Sequence, residues 1–342
     1  MRSVTIKDIA NYAEVSTATV SRVLNKNYYV SPELTNRVLN LVKKYNYYPN
    51  SIARSLKTRA TYTIALVFSN ITNTFFTVLT REIERIIFNK KYNLIVCTTE
   101  GKKGEEKKIL ELLLSKKIDG LIINTMAEND EFICEISKKI PTILINRKIK
   151  NPLFQGDFIG TECISGAYML TKYLLENNHR KIGVINGSLN ISTGKERFEG
   201  FKRAMKDYDI LINDNYIYRY NGNFTTLSGY KGMVRLMNSS PLPTAIVVMN
   251  NNMLIGALKY CKKHKVKIPK NISICSFGNV NNIDLMYIRP TIVKEDPGII
   301  GTKIGNFILE RIEKNNFLPN REIVYQPKLL IGNTVYCRKN IK

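Results

Sequence analysis

A short helix predicted to start at its cap Ser16 and to run to about Leu24 presents small or polar side chains and one arginine, a combination that can approach base pairs closely. The exposed positions are Thr17, Ala18, Ser21, Arg22 and Asn25. A guanidinium can donate two hydrogen bonds to O6 and N7 of guanine, which is worth about 1–3 kcal/mol of discrimination. Short hydroxyl and amide groups suit phosphate oxygens, which orient a protein on a duplex without reading its sequence. The pattern therefore predicts the chemistry of DNA recognition.

The predicted contacts divide between base edges and backbone phosphates. Thr17 and Ala18 can meet a thymine methyl group or an adenine edge, and Arg22 can contact guanine. The side chains that suit phosphate oxygens are those of Ser16, Thr19, Ser21 and Asn25. We expect this surface to lie in the major groove.

Three short helices are predicted to position this surface. Apolar residues recur at helical spacing over residues 6–24. Thr5 and Ser16 can cap the first two helices, and Ser31 can cap a third. We predict a helix-turn-helix domain over residues 1–49. A generic helical bundle with an exposed arginine is the alternative.

A second short helix is predicted after Pro49, where Asn50 can cap two turns that end at Lys57. A helix of that length is unstable alone in water, so it must fold against a partner. In a symmetric dimer, two copies could pack in the minor groove with Leu56 inserted between base steps. We assign residues 50–60 to this hinge helix and linker; an ordinary linker helix is the alternative. The further DNA-contacting residues that we expect are Thr5, Asn50, Ala53, Arg54 and Leu56.

The composition favours a polyanionic partner. The chain has 52 Lys and Arg residues against 28 Asp and Glu, a net charge of +24. Its first 60 residues are the densest part, with ten basic and three acidic residues, whereas the remaining excess is spread widely. The six cysteines form no C-x-x-C pair, and no stretch approaches the ~20 apolar residues of a membrane span. We expect reduced thiols, no metal, no cofactor and a cytoplasmic, nucleoid-associated protein that does not contact membranes.

Beyond residue 60, short apolar strands alternate with helical patterns, which is typical of parallel sheets covered by helices on both faces. The predicted strands form two sets, over residues 63–68, 93–98, 120–124 and 142–146, and then 181–186, 217–220, 245–249 and 272–277. Two similar α/β subdomains are expected, with a ligand cleft between them where loops at the carboxyl ends of strands converge.

Residues 5–25 and 48–57 resemble the DNA-binding headpiece and hinge helix of the LacI/GalR (lactose/galactose repressor) family. The rest of the chain resembles this family more loosely, for example at Arg197-Phe198-Glu199-Gly200-Phe201. The catabolite-control and sugar-operon repressors are the nearest type. The resemblance implies a small all-α headpiece and an α/β, periplasmic-binding-protein-like body. It also implies three crossings of the chain, near residues 160, 290 and 325. The resulting subdomains are 61–160 plus 291–324, and 161–290 plus 325–342.

The candidate effector site departs from the family pattern. Asn70, Asn146, Asn251 and Gly278 stand where sugar-binding relatives usually have Asp. The candidate effector-binding residues are Phe75, Phe76, Arg147, Arg197, Asn250 and Asn251. The loss of carboxylates predicts an anionic effector, such as a sugar phosphate, clamped by the two arginines. A neutral sugar, a cleft without a small ligand and control by a protein co-regulator are the alternatives.

The resemblance implies a transcriptional regulator, by default a repressor, that acts as a homodimer on a palindromic operator in double-stranded DNA. The chain carries no leucine-repeat tail of the kind that tetrameric relatives have, so we expect a dimer. No Ser/His/Asp set, carboxylate pair or phosphate-binding glycine loop predicts an enzyme. Activation at some promoters stays open. The rival hypothesis is a solute-binding protein or α/β enzyme with a vestigial headpiece, and it predicts no DNA affinity.

Overall fold

The computed structural model describes residues 4–25, 28–48, 60–314 and 318–338. They belong to two compact units, one within residues 1–61 and the other within residues 62–342. The predicted hinge helix, with Asn50, Ala53, Arg54 and Leu56, lies outside the described residues.

The first unit is a small helical domain. Its helices are α1 (Ile6–Tyr12), α2 (Thr17–Asn25) and α3 (Pro32–Lys44). Thr5 caps α1 in a reciprocal capping box with Asp8, and the Ser31 hydroxyl accepts a hydrogen bond from the third residue of α3. The helices meet around a common core, which comprises Ile9, Ala10, Ala13, Val20, Val23, Val38 and Tyr47. Apolar spacing and caps therefore agree, and the predicted helix-turn-helix forms.

The second unit begins with a parallel sheet of strand order β11-β5-β4-β3-β1-β2. Its strands are β1 (Thr63–Phe68), β2 (Asn93–Thr98), β3 (Gly120–Ile123), β4 (Thr142–Ile145), β5 (Asp157–Thr161) and β11 (Glu322–Tyr325). The helices packed with it are α4 (Thr74–Phe88), α5 (Glu105–Ser115), α6 (Asp130–Ser137) and α11 (Pro297–Glu313).

A second sheet follows, of strand order β12-β10-β9-β8-β6-β7. Its strands are β6 (Ile182–Asn186), β7 (Arg219–Asn221), β8 (Ala245–Val248), β9 (Ser273–Phe277), β10 (Thr291–Lys294) and β12 (Lys328–Leu330). The accompanying helices are α7 (Cys163–Glu176), α8 (Ser192–Lys206), α9 (Thr226–Met237) and α10 (Asn251–Lys263). A 3₁₀ turn occupies Ile283–Leu285. Only the β10–β12 pair is antiparallel among the described strands.

Side-chain alternation along the interior strand β1 explains the layering. In β1, Ile64, Leu66 and Phe68 face a core shared with α4 and α11. Ala65 and Val67 point to the opposite core, which is shared with α5 and α6. Successive residues of a strand point to opposite faces, so a fully apolar strand needs helices on both sides. The predicted fold class is confirmed.

The chain passes between the two sheets after β5, after β10 and between β11 and β12. The second of these passages follows Lys294. The family resemblance implied a crossing a few residues earlier, near residue 290. The reason is that Thr291–Lys294 extends the second sheet, where it pairs with β9 and buries Ile292 and Val293.

Candidate functional site

The first candidate site is the outer face of α2. Thr5, Ser16, Thr17, Ala18, Arg22 and Asn25 are exposed, and Thr19 and Ser21 are half-buried. The Ser16 hydroxyl accepts a hydrogen bond from the Thr19 backbone N–H (3.1 Å), as a helix cap does. The Asn25 amide donates to the Ser21 carbonyl oxygen at 2.8 Å. Local bonds thus orient the groups at both ends of the face, while Thr17 and Ala18 point outward between them.

Tyr28 is a residue of this face that the sequence analysis missed. The guanidinium carbon of Arg22 lies 5.4 Å from the centre of the Tyr28 ring, a cation–π distance. Tyr28 is itself 73% exposed, so the pair stands on the surface. An aromatic ring beside an arginine limits the directions in which the guanidinium can point. The sequence signal that could have identified Tyr28 is an aromatic residue shortly after the end of α2.

The second candidate site is a narrow cavity of about 50 Å³ between the two subdomains of the second unit. All the predicted effector residues line it: Phe75, Phe76, Arg147, Arg197, Asn250 and Asn251. The other lining residues are Ser69, Asn73, Asn124, Asn146, Thr193, Phe224, Phe277, Gly278 and Glu295. They come from loops and helix starts that follow the parallel strands, as expected for this architecture.

Two aromatic residues form one wall of the cavity. Phe75 packs edge-to-face on Phe76, and Phe76 stacks on Phe68 with ring centres 4.7 Å apart. Both rings are also part of the core beneath the first sheet. They are therefore rigid walls, and each offers the cavity only part of its surface.

Arg147 is aimed into the cleft by a strained turn. Asn146 has φ = +56°, and the Arg147 N–H donates to the Ile145 carbonyl oxygen across it at 2.5 Å. One terminal nitrogen of Arg147 donates to the Thr125 carbonyl oxygen at 2.8 Å. The guanidinium carbon lies 5.5 Å from the centre of the Phe224 ring on the opposite subdomain. Burial lowers the pKa of Arg147 to about 10, and the side chain stays charged at neutral pH.

Glu106 orders the loop that holds the Arg147 side chain, a role that was not predicted from the sequence. The carboxylate is buried and accepts hydrogen bonds from the Met126 N–H (2.6 Å) and the Asn129 amide (3.1 Å). Burial raises the pKa of Glu106, although these bonds and the nearby Arg147 charge oppose the rise. Glu106 thereby fixes the loop whose Thr125 carbonyl holds Arg147. An acidic residue in the first turn of a helix looks like an ordinary dipole partner, so no distinct sequence signal marked Glu106.

Arg197 lies on the other side of the cavity. One of its terminal nitrogens donates to the Met249 carbonyl oxygen at 2.6 Å. Its guanidinium carbon lies only 3.8 Å from the centre of the Phe277 ring. The Nε atom is buried and has no hydrogen-bond partner among the described residues. Arg197 therefore has an unused donor beside the cavity.

Two acceptors complete this polar set. The Asn124 amide nitrogen donates to the Ile145 carbonyl oxygen at 2.7 Å, which leaves Oδ1 as the free end of the amide. Asn124 Oδ1 and Glu295 Oε1 are both buried without a partner in the described parts of the chain. Burial raises the pKa of Glu295, and the nearby Arg197 charge opposes part of that rise. Unpaired buried polar atoms are costly, so their convergence on one cavity indicates a ligand site.

A wider outer chamber of about 240 Å³ adjoins the inner cavity. Ser69, Arg147 and Phe224 line both spaces. Glu100 and Glu128 also line the outer chamber. Phe224 has φ = +62°, and its ring covers Gly187 so closely that an added Cβ would lie 1.9 Å from a ring carbon. This ring separates the two spaces.

Hydrogen bonds between described residues cross the cleft from one subdomain to the other. The Asn251 amide donates to Asn73 Oδ1 at 2.9 Å, and the Lys148 N–H donates to the Ser192 hydroxyl at 3.0 Å. The cleft is thus bridged on more than one side by the protein's own groups.

Within the described ranges, no group of three or more His, Cys, Asp or Glu side chains is placed to hold a metal ion. None of the described helices is both long enough and apolar enough to cross a membrane.

Comparison with known proteins identifies both parts of the chain. Residues 5–50 match the model for bacterial regulatory proteins of the lacI family. Residues 61–325 match the model for periplasmic binding proteins and the sugar-binding domain of the LacI family.

Full-length relatives agree with these matches. The protein named HTH-type transcriptional repressor PurR of Haemophilus influenzae (strain PittEE) is 32% identical over 336 residues, covering 97% of this chain and 98% of its own. The protein of the same name from Aliivibrio salmonicida (strain LFI1238) is 30% identical, covering 97% and 99%. A solved structure of the lac repressor dimer bound to operator and the anti-inducer ONPF superposes with a TM-score of 0.82 at 20% identity, covering 98% of this chain and all of that one. The relatives are named as repressors and not as enzymes, and this chain belongs to the LacI family of DNA-binding transcriptional regulators.

Proposed function

We propose that the protein represses transcription as a homodimer on a palindromic operator and that a small molecule in the cleft regulates it. The observation that carries the DNA-binding part is the outward face of α2, where Thr17, Ala18 and Arg22 are exposed on a helix whose start is capped by Ser16. Groups that are fixed before binding lose little freedom when they meet base edges. A two-fold symmetric dimer would place two such faces on the two halves of an operator.

A gel-shift titration on AT-rich palindromes with a central C-G step tests this proposal. We expect binding whose affinity falls with salt at a log–log slope of about −0.9 per phosphate contact. Arg22→Ala should remove discrimination at one base pair of each half-site. Arg37→Ala is the matched control, because Arg37 is an exposed arginine on α3 and away from the α2 face. Absence of DNA affinity would instead support a solute-binding protein or enzyme with a vestigial headpiece.

The effector is proposed to act through the relative pose of the two subdomains. A change of pose would alter whether the two Asn50–Lys57 segments of the dimer fold in the minor groove. Leu56→Ala should then weaken binding to all operators, because the wedge that stabilises the kink is lost. Equal affinity of this variant and the unaltered protein would contradict the hinge mechanism.

The charges in the cleft favour a neutral effector over the anionic one that the sequence predicts. Arg147 and Arg197 do line one cavity, but Glu295 lies with them, and Glu100 and Glu128 line the outer chamber. Each guanidinium already has a carbonyl partner and an aromatic face. An anionic group would therefore meet carboxylates as well as arginines.

The buried polar atoms that have no hydrogen-bond partner indicate which chemical groups the ligand should carry. Asn124 Oδ1 and Glu295 Oε1 need hydrogen-bond donors, whereas Arg197 Nε needs an acceptor. Hydroxyl groups both donate and accept, so they suit all three atoms, and we infer a neutral polyhydroxylated ligand, such as a sugar, that extends into the wider outer chamber. The remaining support for an anion is the free donor on Arg197.

Calorimetry of the full chain against matched pairs of sugars and sugar phosphates decides between these classes. A neutral sugar that binds at least as tightly as its phosphate would support the proposal. Binding of the phosphate alone would restore the two-arginine clamp. If no small molecule in the panel binds, control by a protein co-regulator is favoured.

A further inference from the structure

The Asn251 side chain bridges the two subdomains. Asn251 is the first residue of α10, beside the second sheet, and its amide nitrogen donates to Asn73 Oδ1 at 2.9 Å. Asn73 caps α4, beside the first sheet. The same amide nitrogen donates to the Asn279 carbonyl oxygen at 3.1 Å. One carboxamide therefore ties the start of α10 to the loop after β9 in its own subdomain and to a helix cap across the cleft.

Backbone groups fix the orientation of both amides. Asn251 Oδ1 accepts from the Asn252 N–H at 2.9 Å, a donor that it shares with the capping Asn250 Oδ1, and its nitrogen faces the cleft. Asn73 Oδ1 accepts from the Phe75 N–H at 3.1 Å, so its oxygen must face Asn251. A rotation of either amide by 180° would set donor against donor or acceptor against acceptor. The bridge therefore has a definite polarity, in which residue 251 donates and residue 73 accepts.

This polarity depends on an amide at position 251. A carboxylate there has no hydrogen to donate, and it would face the oxygens of Asn73 and Asn279. Its negative charge would still suit the first turn of α10, where the helix dipole favours acidic residues. Aspartate at position 251 would thus be compatible with the helix and incompatible with the bridge.

We propose that Asn73 and Asn251 form a latch, by which the protein closes its own cleft without using a ligand as the bridge. The Asn251 amide is then committed to closure and is withdrawn from effector recognition. Because the latch favours the closed pose directly, it sets the balance between open and closed subdomains in the free protein. The latch is independent of which effector the cleft takes.

The Lys148 N–H gives a separate reporter of closure. It is bonded across the cleft to the Ser192 hydroxyl at 3.0 Å, and neither residue is part of the latch. Opening would expose this N–H to solvent, so its hydrogen-exchange rate follows the open population. The measurement is made by mass spectrometry on the full-length protein without added sugar.

Three variants test whether the bridge needs a donor at residue 251 and an acceptor at residue 73. Asn251→Asp and Asn251→Leu remove the donor, and each should raise the exchange rate of the Lys148 N–H by about two- to tenfold, the effect of losing one hydrogen bond. Asn73→Asp keeps an acceptor and remains a good helix cap, so its exchange should match that of the unaltered protein. The neutral Leu variant keeps the test decisive if the charged variant does not fold.

Two results would overturn the latch. One is unchanged exchange at Lys148 in the folded variants that lack the donor. The other is acceleration in Asn73→Asp equal to that in Asn251→Asp, because loss of polarity would show that any change at this contact has the same effect.

Discussion

Asp157 and Arg311 form a buried, two-pronged ion pair behind the first sheet, with N–O distances of 2.6 and 2.8 Å. Arg321 adds further bonds to the same carboxylate, including one of 2.8 Å from its terminal nitrogen to Oδ2. Burial would raise the pKa of Asp157, but the hydrogen bonds and charges of the two arginines outweigh it and lower the pKa below its usual value. The cluster joins β5, α11 and β11, and so holds together chain segments that lie far apart in sequence.

Asp157→Asn should therefore destabilise the second unit strongly. The change removes the carboxylate charge that faces the buried Arg311 guanidinium, and breaking a buried ion pair typically costs about 3–5 kcal/mol. Urea unfolding followed by circular dichroism would measure the loss. Asp214→Asn is the control, since the Asp214 side chain is fully exposed and 3.8 Å from Arg219. A loss for Asp157→Asn no larger than that of the control, about 0.5 kcal/mol, would contradict a structural role for the cluster.

His179 predicts a pH dependence of stability. The ring is buried between the Thr244 hydroxyl (2.9 Å) and the Tyr336 carbonyl oxygen (3.0 Å), and burial lowers its pKa from 6.5 to about 4. The unfolded chain thus binds more protons between these values, so this contribution is complete above pH 6.5 and is lost as the pH falls toward 4. Between pH 7 and 5 the loss from this one group should be about 2 kcal/mol.

The matched variant for this pH dependence is His179→Gln, which keeps a donor and an acceptor but does not titrate. Its unfolding free energy should fall less steeply than that of the unaltered protein over the same range. Parallel pH profiles for the two proteins would show that His179 is not the group responsible.

The sequence predicted the fold well where strands are central and apolar. In β1 and β8 every position from Ile64 to Phe68 and from Ala245 to Val248 is buried, so the strands appear as short apolar runs. The edge strand β11 is not recognisable, because its alternate residues are exposed and it begins with Glu322. Edge strands bury fewer side chains, and their position depends on the neighbouring strand more than on their own pattern.

Two carboxylates of the cleft region could not be predicted from the sequence, because their positions depend on contacts between distant parts of the chain. Arg147 and Arg197 follow recognisable motifs, and both line the inner cavity. Glu295 follows β10, a strand that was not predicted, so nothing assigned this carboxylate to the cavity. Glu106 acts through a loop carbonyl that only the folded chain brings to Arg147. Glu295 therefore adds a carboxylate to a cleft that lacks several of the family's acidic residues.

Tyr28 should influence DNA recognition through Arg22. Tyr28→Ala removes the ring beside the guanidinium, so Arg22 should lose part of its preferred orientation and bind the operator about two- to fivefold more weakly, as expected for an exposed cation–π contact. Tyr28→Phe keeps the aromatic face and should bind nearly as well as the unaltered protein. Quantitative gel shifts at constant salt would measure both. Equal weakening by the two changes would indicate that the hydroxyl, and not the ring, matters.

The Phe224 ring should control access between the two chambers of the cleft. Gly187→Ala would place a methyl carbon 1.9 Å from this ring, which must then move away from Arg147. Because the ring forms part of the inner cavity, we expect effector affinity to fall by about tenfold or more, equivalent to about 1.4 kcal/mol, in calorimetry with the sugar that binds. Operator affinity without the sugar should change little.

Gly298→Ala is the matched control for this substitution. A methyl group there meets only an Asp296 carboxylate oxygen, at 3.3 Å, and lies outside the cavity lining. It should leave effector affinity unchanged. Unaltered affinity in a folded Gly187→Ala protein would mean that the ring can move without consequence, and would remove Phe224 from the proposed binding site.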